Sequence, residues 1–166
     1  ENFITIATTR PETMLGDTAV AVNPEDKRYK NLVSKNVILP IVEKKIKIIA
    51  DDYADPEQGT GAVKITPAHD FNDYEVGIRN KLEIINIFTE DGKINKNAPS
   101  EYVGLDRFEA RKKIISELKN KNLFVKDEDI KNKVPYGDRS NSIIEPYLTE
   151  QWFADAKKLS NKAKKI

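Results

Sequence analysis

The chain has 166 residues, enough for one domain of ordinary size with its own core. With 39% hydrophobic residues, 33% charged residues and a net charge of +1, the composition excludes a disordered chain and gives no overall nucleic-acid signal. No cysteine and a single histidine, His69, exclude disulfide frameworks, cysteine-ligated zinc, iron–sulfur clusters and zinc sites built on two or three histidines.

No apolar run approaches the roughly 20 residues of a membrane-spanning helix. The opening ENFITIATTR has neither a basic stretch nor an initiator methionine, so the expectation is a piece of a longer polypeptide without a signal peptide. Residues 3–8 are rich in β-formers and read as a strand. Pro11 pushes Arg10 out of the helical region, so Thr8 to Thr13 is expected as an extended loop. A second strand covers 18–22. Pro24, capped by Asn23, predicts a short helix to about Leu32. Strands follow at 37–39 and 45–49, the latter alternating as a half-buried strand should. Asp51 to Gly61 reads as a loop with a turn at Asp55-Pro56. A strand over 62–65 leads to a helix from about Asp70 to Leu82, with Phe71, Tyr74 and Ile78 on one face. A strand over 84–88 precedes a turn at 90–92. Asp106 caps a helix that turns Phe108, Ile114, Ile115 and Leu118 inward. Leu123 to Val125 reads as a strand, and Val134 to Ser142 is polar and turn-rich. Residues 150–166 read as a lysine-rich helix. Five lysines against Asp155 put the basic excess of the chain in residues 151–166. Strands without regular βαβ alternation predict an α+β fold, with a mixed or closed sheet and no internal repeat.

Three segments carry candidate chemistry. Thr8-Thr9-Arg10-Pro11-Glu12-Thr13 packs hydroxyls, a cation and an anion on a stiff loop, which suits an oxygen-rich ligand or simply a solvated turn. Gly59 to Gly77 lacks the spacing of a phosphate loop, and its glycines precede a strand, not a helix. Strand alternation points Lys64 and Thr66 to one face, while Asp70 and Asp73 share the first helical turn. These four could converge. Asp70 could equally be an ordinary N-cap, Asp73 a dipole-favoured carboxylate, and His69 a structural histidine at the helix entrance. The third segment, Gly137 to Phe153, by itself indicates loop, strand and aromatic packing.

Together, TTRPETMLGDTAVAVNPED, IIADDYADPEQGTGAVKITPAHDFNDYEVG, INIFTEDGKIN, YVGLDRFEARKKI and GDRSNSIIEPYLTEQWF resemble the editing (connective peptide 1) domains of valyl-tRNA synthetases, class I aminoacyl-tRNA synthetases. The resemblance covers nearly the whole chain. Asn23 is a departure, standing where many members carry histidine. The HIGH-like and KMSKS-like motifs of the synthetic active site do not occur, so ATP is expected to serve only a synthetic domain outside this chain. The resemblance implies a β-barrel-like mixed sheet with peripheral helices, the fold shared by the valyl, isoleucyl and leucyl editing domains. It also implies an editing domain over 1–150 and a lysine-rich helix over 151–166 leading back to the catalytic core.

The implied activity is post-transfer editing, the hydrolysis of the ester of threonine mischarged onto tRNA(Val). Threonine and valine are nearly isosteric, and a first pocket separates them only about 100-fold, a magnitude established for valyl-tRNA synthetases themselves. A second site that hydrogen-bonds the threonine hydroxyl corrects the error. The resemblance assigns Asp70, Thr66 and Lys64 as catalytic. It assigns Arg10, Thr9, Thr13, Asp73 and Thr66 to substrate binding. Asp73 would hold the α-ammonium, and Thr66 and Asp70 the threonine hydroxyl and a water. Arg10 and Lys64 would contact the terminal adenosine and the ester. Asp70 as general base and a ribose hydroxyl of the tRNA terminus remain equal candidates. No metal or cofactor is implied. The implied partners are the tRNA(Val) 3′ acceptor end and the remainder of the synthetase in cis, for a cytoplasmic monomer that touches no membrane. Two other readings compete. One is a carboxylate–metal hydrolase on Asp51, Asp52, Asp70 and Asp73. The other is a tRNA acceptor-end binding module without turnover, with the basic end as an electrostatic anchor or a solvated linker.

Overall fold

Four short strands form one sheet in the order β2-β3-β1-β4 in the computed structural model, which describes residues 3–131 and 133–163. They are β1 (Ala19–Val22), β2 (Asn36–Leu39), β3 (Lys44–Ala50) and β4 (Ala62–Ile65). β1 runs parallel to β3 and antiparallel to β4, and β2 pairs antiparallel with β3. The sheet is therefore mixed, and among the described residues it is open. Helices α1 (Phe71–Arg79), α2 (Arg107–Asn120) and α3 (Ala156–Ala163) complete an α+β architecture.

All four residues of the central strand β1 are buried, because both faces of the sheet are covered. One face carries Val20, Val22, Ile46 and Ile48 against Met14, Phe88, Tyr102 and Ile114. The other places Ala19, Ala21 and Ile65 against Val76 of α1. β3 alternates as expected, with Ile46 and Ile48 buried and Lys45 and Lys47 exposed.

Helix α1 buries a different face from the expected one. Phe71 is 78% exposed and Ile78 52%, while Asp73, Val76 and Gly77 are buried. The reason is Gly77, which lets the helix settle on the Pro67 ring. A Cβ at position 77 would meet Pro67 Cβ and Cγ at 2.8 Å. Gly77→Ala is therefore expected to destabilise the fold by about 1–3 kcal/mol through overpacking against a rigid ring, read as a lower urea midpoint. In α2, Ala110 and Ile114 are buried and Leu118 packs on the core. Phe108 is only half-buried and lies under the guanidinium groups of Arg107 and Arg111.

Several expected elements lack their ladders. Phe3 to Thr8 is irregular and joins no sheet. The helix expected over 24–32 is a series of turns ending in a 3-10 turn at Lys30–Leu32. There the Asp26 carboxylate accepts from the Arg28 backbone N–H (2.9 Å) and its guanidinium (2.6 Å), competing with helical pairing. In 84–88 only Phe88 forms a bridge, with Ile94. Side chains replace the ladder: His69 Nε2 accepts the Ile87 N–H (2.9 Å), and the Asn95 and Asn97 amides donate to the Asn86 carbonyl. Leu123 to Val125 is no strand, since the Leu123 N–H closes α2 by donating to Leu118 O. The final helix begins at Ala156, and residues 164–166 of the expected helix lie outside the described residues.

Candidate active site

β4 and the segment before α1 build the centre of the site. β4 ends at Ile65, and Thr66-Pro67 turns the chain toward Asp70, which caps α1 by accepting from the N–H groups of Asn72 (2.8 Å) and Asp73 (3.1 Å). Opposite β4 lies a six-residue 3-10 helix, Pro11–Gly16, whose entry follows from Pro at its first position.

Lys64 and Thr66 do share one face, and both are buried. The Lys64 ammonium donates to Thr13 Oγ1 (2.7 Å), Thr66 Oγ1 (2.5 Å) and Asp17 Oδ1 (3.2 Å). All three of its donors are thus used inside the protein. Thr66 Oγ1 passes the chain on by donating to Asp17 Oδ1. The Thr66 backbone N–H donates to Asp73 Oδ2 (2.8 Å). Lys64, Thr66, Thr13 and Asp73 are therefore one connected cluster. Asp70 touches the cluster only through the Asp73 N–H, half-buried at the helix cap, and Thr9 is exposed at the surface.

Arg10 forms the rim. Its Nη1 donates to the His69 carbonyl (2.6 Å), and its Nη2 pairs with Glu145. Glu12, fully buried beside it, is held by Arg111 in a bidentate pair at 2.7 and 2.6 Å. Two cavities lie near these residues. One, of about 300 Å³, includes Glu145, Arg107 and Phe88; the other, of about 280 Å³, includes Tyr53 and Gly59. Neither is lined by the Lys64 cluster.

Electrostatics follow burial. Desolvation pushes the Asp17 carboxyl up to about 6, against the pull of Lys64. Desolvation also raises Asp73, with the Thr66 N–H and Lys64 opposing. Burial, with the nearby Asp73 and Asp70 charges, pushes the Tyr53 phenol up to about 12. His69 is lowered to about 4 by burial and by Arg10. It is therefore a neutral, structural side chain at pH 7. Because Nε2 accepts the Ile87 N–H, its hydrogen sits on Nδ1.

These shifts have opposite signs in stability. His69 binds its proton less readily folded than unfolded, so its contribution is lost as pH falls from about 6.5 to about 4. Asp17 binds its proton more readily folded, so its contribution grows as pH falls from about 6 to about 4. His69→Gln removes the first ramp only. The stability gap between this variant and the unsubstituted chain is expected to narrow as pH falls from 6.5 to 4. Urea midpoints at half-unit pH steps test this, and a constant gap would refute it.

The four carboxylates of the metal reading do not form one set. Asp51 is engaged by Arg79 (2.8 and 2.5 Å) and Asn80 (2.8 Å), and Asp73 by the Thr66 N–H. Among the described residues no three acidic or histidine side chains gather as a ligand set.

Residues 32–119 match the family model described as leucyl-tRNA synthetase, editing domain, over more than half of the chain. The chain belongs to this family of synthetase editing domains. Among its relatives the editing domain is 80% identical to a valine–tRNA ligase of Pelagibacter ubique (strain HTCC1062) over 165 residues, which are 99% of this chain and 19% of that protein. It is 58% identical to the valine–tRNA ligase of Caulobacter vibrioides (strain ATCC 19089 / CIP 103742 / CB 15), covering 99% of this chain and 18% of the relative. The domain thus spans about a fifth of the length of these relatives. Its fold matches part of a solved leucyl-tRNA synthetase, agnB2 LeuRS of Agrobacterium radiobacter K84, in a ternary complex with tRNA and LeuAMS. The TM-score is 0.51 at 20% identity, over 69% of this chain and 16% of that one.

Sequence reasoning missed four residues of the editing domain's polar interior. Asp17 is the anion at the centre of the Lys64 cluster; its only signal was a carboxylate wedged between the apolar runs Met14-Leu15 and Ala19-Val22. Arg111, Arg107 and Glu145 left no local signal, because their partners lie far along the chain. Arg111 reaches Glu12 across 99 positions, and Glu145 reaches Arg10 across 135.

Proposed function

We propose that this editing domain hydrolyses the ester of threonine mischarged onto tRNA(Val) after transfer. The observation that carries the reading is the convergence of Lys64, Thr66, Thr13 and Asp73 at a strand end, beside the Asp70 cap and the Arg10 rim.

Asp73 keeps its Oδ1 for the α-ammonium while Oδ2 accepts the Thr66 N–H. Thr66 Oγ1 accepts from Lys64 and donates to Asp17, which leaves a lone pair for the substrate threonine hydroxyl. Valine lacks that hydroxyl and leaves the buried partner unpaired, at about 1–3 kcal/mol. Lys64, with its donors spent internally, acts by fixing Thr13 and Thr66 instead of touching the ester. Arg10 and Thr9 at the rim receive the ribose and phosphate oxygens of the 3′ end.

In the reaction, water attacks the ester carbonyl carbon and the carbon–oxygen bond to the ribose breaks. The ribose oxygen takes a proton, and threonine leaves as its free acid. Aminoacyl esters are activated, so positioning and polarisation supply much of the rate. Either Asp70 or a neighbouring ribose hydroxyl takes the proton from water. Asp70→Asn that still binds substrate but hydrolyses about 100-fold more slowly assigns the base to Asp70, and full activity assigns it to the ribose.

The remaining roles belong to the same proposal. Residues 1–150 are the editing unit, and 151–166 lead back to the catalytic core of a cytoplasmic synthetase that edits in cis as a monomer, without metal or cofactor. Release of threonine from Thr-tRNA(Val), beside Val-tRNA(Val), with and without EDTA, tests the reading. Threonine-selective, EDTA-insensitive release is expected. Loss of activity in EDTA favours the metal hydrolase, and tRNA affinity with no release favours a binding module.

A further inference from the structure

Three arginines and two glutamates alternate in a row across the rim: Arg111, Glu12, Arg10, Glu145, Arg107. Each link has a different character. Glu12 is fully buried and already taken by both donors of Arg111. Arg10 Nε stands 3.9 Å from Glu12, beyond hydrogen-bond reach. Arg10 is instead held at its two Nη groups, by the His69 carbonyl and by Glu145. Glu145 in turn is fixed from α2. Arg107 Nε lies 3.1 Å from Glu145 Oε1, and Arg107 Nη2 donates to the Ile143 carbonyl (3.1 Å). One arginine thus touches this segment at two points, by a hydrogen bond to the Ile143 carbonyl and an ion pair with Glu145 Oε1, and Glu145 Oε2 faces Arg10.

We propose that Glu145 is a positioning residue for Arg10, setting the guanidinium that receives the nucleotide end of the substrate. The inference rests on the reading of the Arg10 rim given under Proposed function. The row holds one more cation than anion, and Arg10 keeps a quarter of its side chain exposed at 25%. A phosphate or ribose oxygen approaching the rim therefore meets a cation whose direction is fixed. Glu12 does not hold Arg10 in this arrangement, since both of its oxygens already accept from Arg111 and Arg10 Nε stands 3.9 Å away. Without Glu145, Arg10 keeps only the His69 carbonyl, and the plane of its guanidinium is no longer set. A bidentate fork is useful only when its plane is set.

The test is binding of 3′-threonylamido-3′-deoxyadenosine, in which an amide replaces the ester, to the 166-residue chain. Thr-tRNA(Val) hydrolysis is measured in parallel. Glu145→Gln keeps the shape and removes the charge, and it is expected to weaken analogue binding about tenfold, with Glu145→Asp recovering most of the loss. In an Arg10→Met background the same Glu145→Gln change is expected to add nothing. Nitrogen NMR of the arginine side chains is expected to show distinct Arg10 Nη signals that merge in Glu145→Gln. Unchanged binding with unchanged Arg10 signals overturns the inference, as does an undiminished Glu145→Gln effect in Arg10→Met. If the chain binds the analogue in this Glu145-dependent way but does not hydrolyse Thr-tRNA(Val), the inference stands and the hydrolytic reading falls. If it hydrolyses but ignores Glu145→Gln, the reverse holds. Absence of analogue binding to the unsubstituted chain overturns both.

Discussion

Asp17→Ala is expected to lower the stability of the domain by about 3–5 kcal/mol, the range for a buried ion pair that loses one partner. Asp17 is 1% exposed and Lys64 8%, so the stranded ammonium has no route to solvent without breaking the end of β4. At about 2–4 °C per kcal/mol for a chain of this size, the melting temperature should fall by about 6–20 °C. Replacing both charges at once, Asp17→Leu with Lys64→Met, is expected to restore most of that stability, because two apolar groups need no partner. The double variant should nevertheless remain inactive, since Thr13 and Thr66 lose the ammonium that orients them. Urea unfolding and deacylation of the same samples separate the two effects. A loss below about 1 kcal/mol in Asp17→Ala, typical of an exposed pair, would mean that the cluster is solvated and the account is wrong.

Asp73→Asn is expected to reduce deacylation of Thr-tRNA(Val) by about 100-fold or more, as loss of a desolvated charge partner does. Its effect on stability should be small. Asparagine keeps an oxygen for the Thr66 N–H, and burial already disfavours the carboxylate charge at this position. Asp73→Ala differs, because it orphans the buried Thr66 N–H and adds about 1–3 kcal/mol of destabilisation. Single-turnover rates and urea midpoints for the two variants therefore distinguish charge from scaffold. Equal activity of Asp73→Asn and the unsubstituted domain would remove Asp73 from the site.

The parts legible in the sequence were those governed by near neighbours. Period-two alternation put Lys64 and Thr66 on one face, and Asp70 capped α1 as its place at the start of the expected helix suggested. The mixed α+β sheet was readable from the strands that do pair. Much of what failed depended on a distant partner, whereas the helix over 24–32 failed locally, where the Asp26 carboxylate accepts from Arg28 two residues on. β-propensity marked residues 3–8 and 84–88 as extended, but propensity says nothing about whether a neighbouring strand is present. Helical periodicity offered Phe71 and Ile78 as the inner face, and Gly77 against Pro67 overrode it, since close approach of the backbone outweighed the larger side chains. Asp17 and Glu145 acquire meaning only when β4 and α2 are in place.

The strand order places a burden on synthesis. β1 is the first strand of this sheet to be made, yet it is internal, and its two neighbours are β3 and β4, ending at Ala50 and Ile65. Until Ile65 has left the ribosome, the apolar Ala19–Val22 segment has at least one bare edge. At about 5–20 residues per second this lasts several seconds. The parallel β1–β3 pairing cannot form locally as a hairpin does, and it must wait for the crossover. During that interval the nascent chain exposes a fully apolar strand without the partners that later seal it, which is the situation holding chaperones recognise.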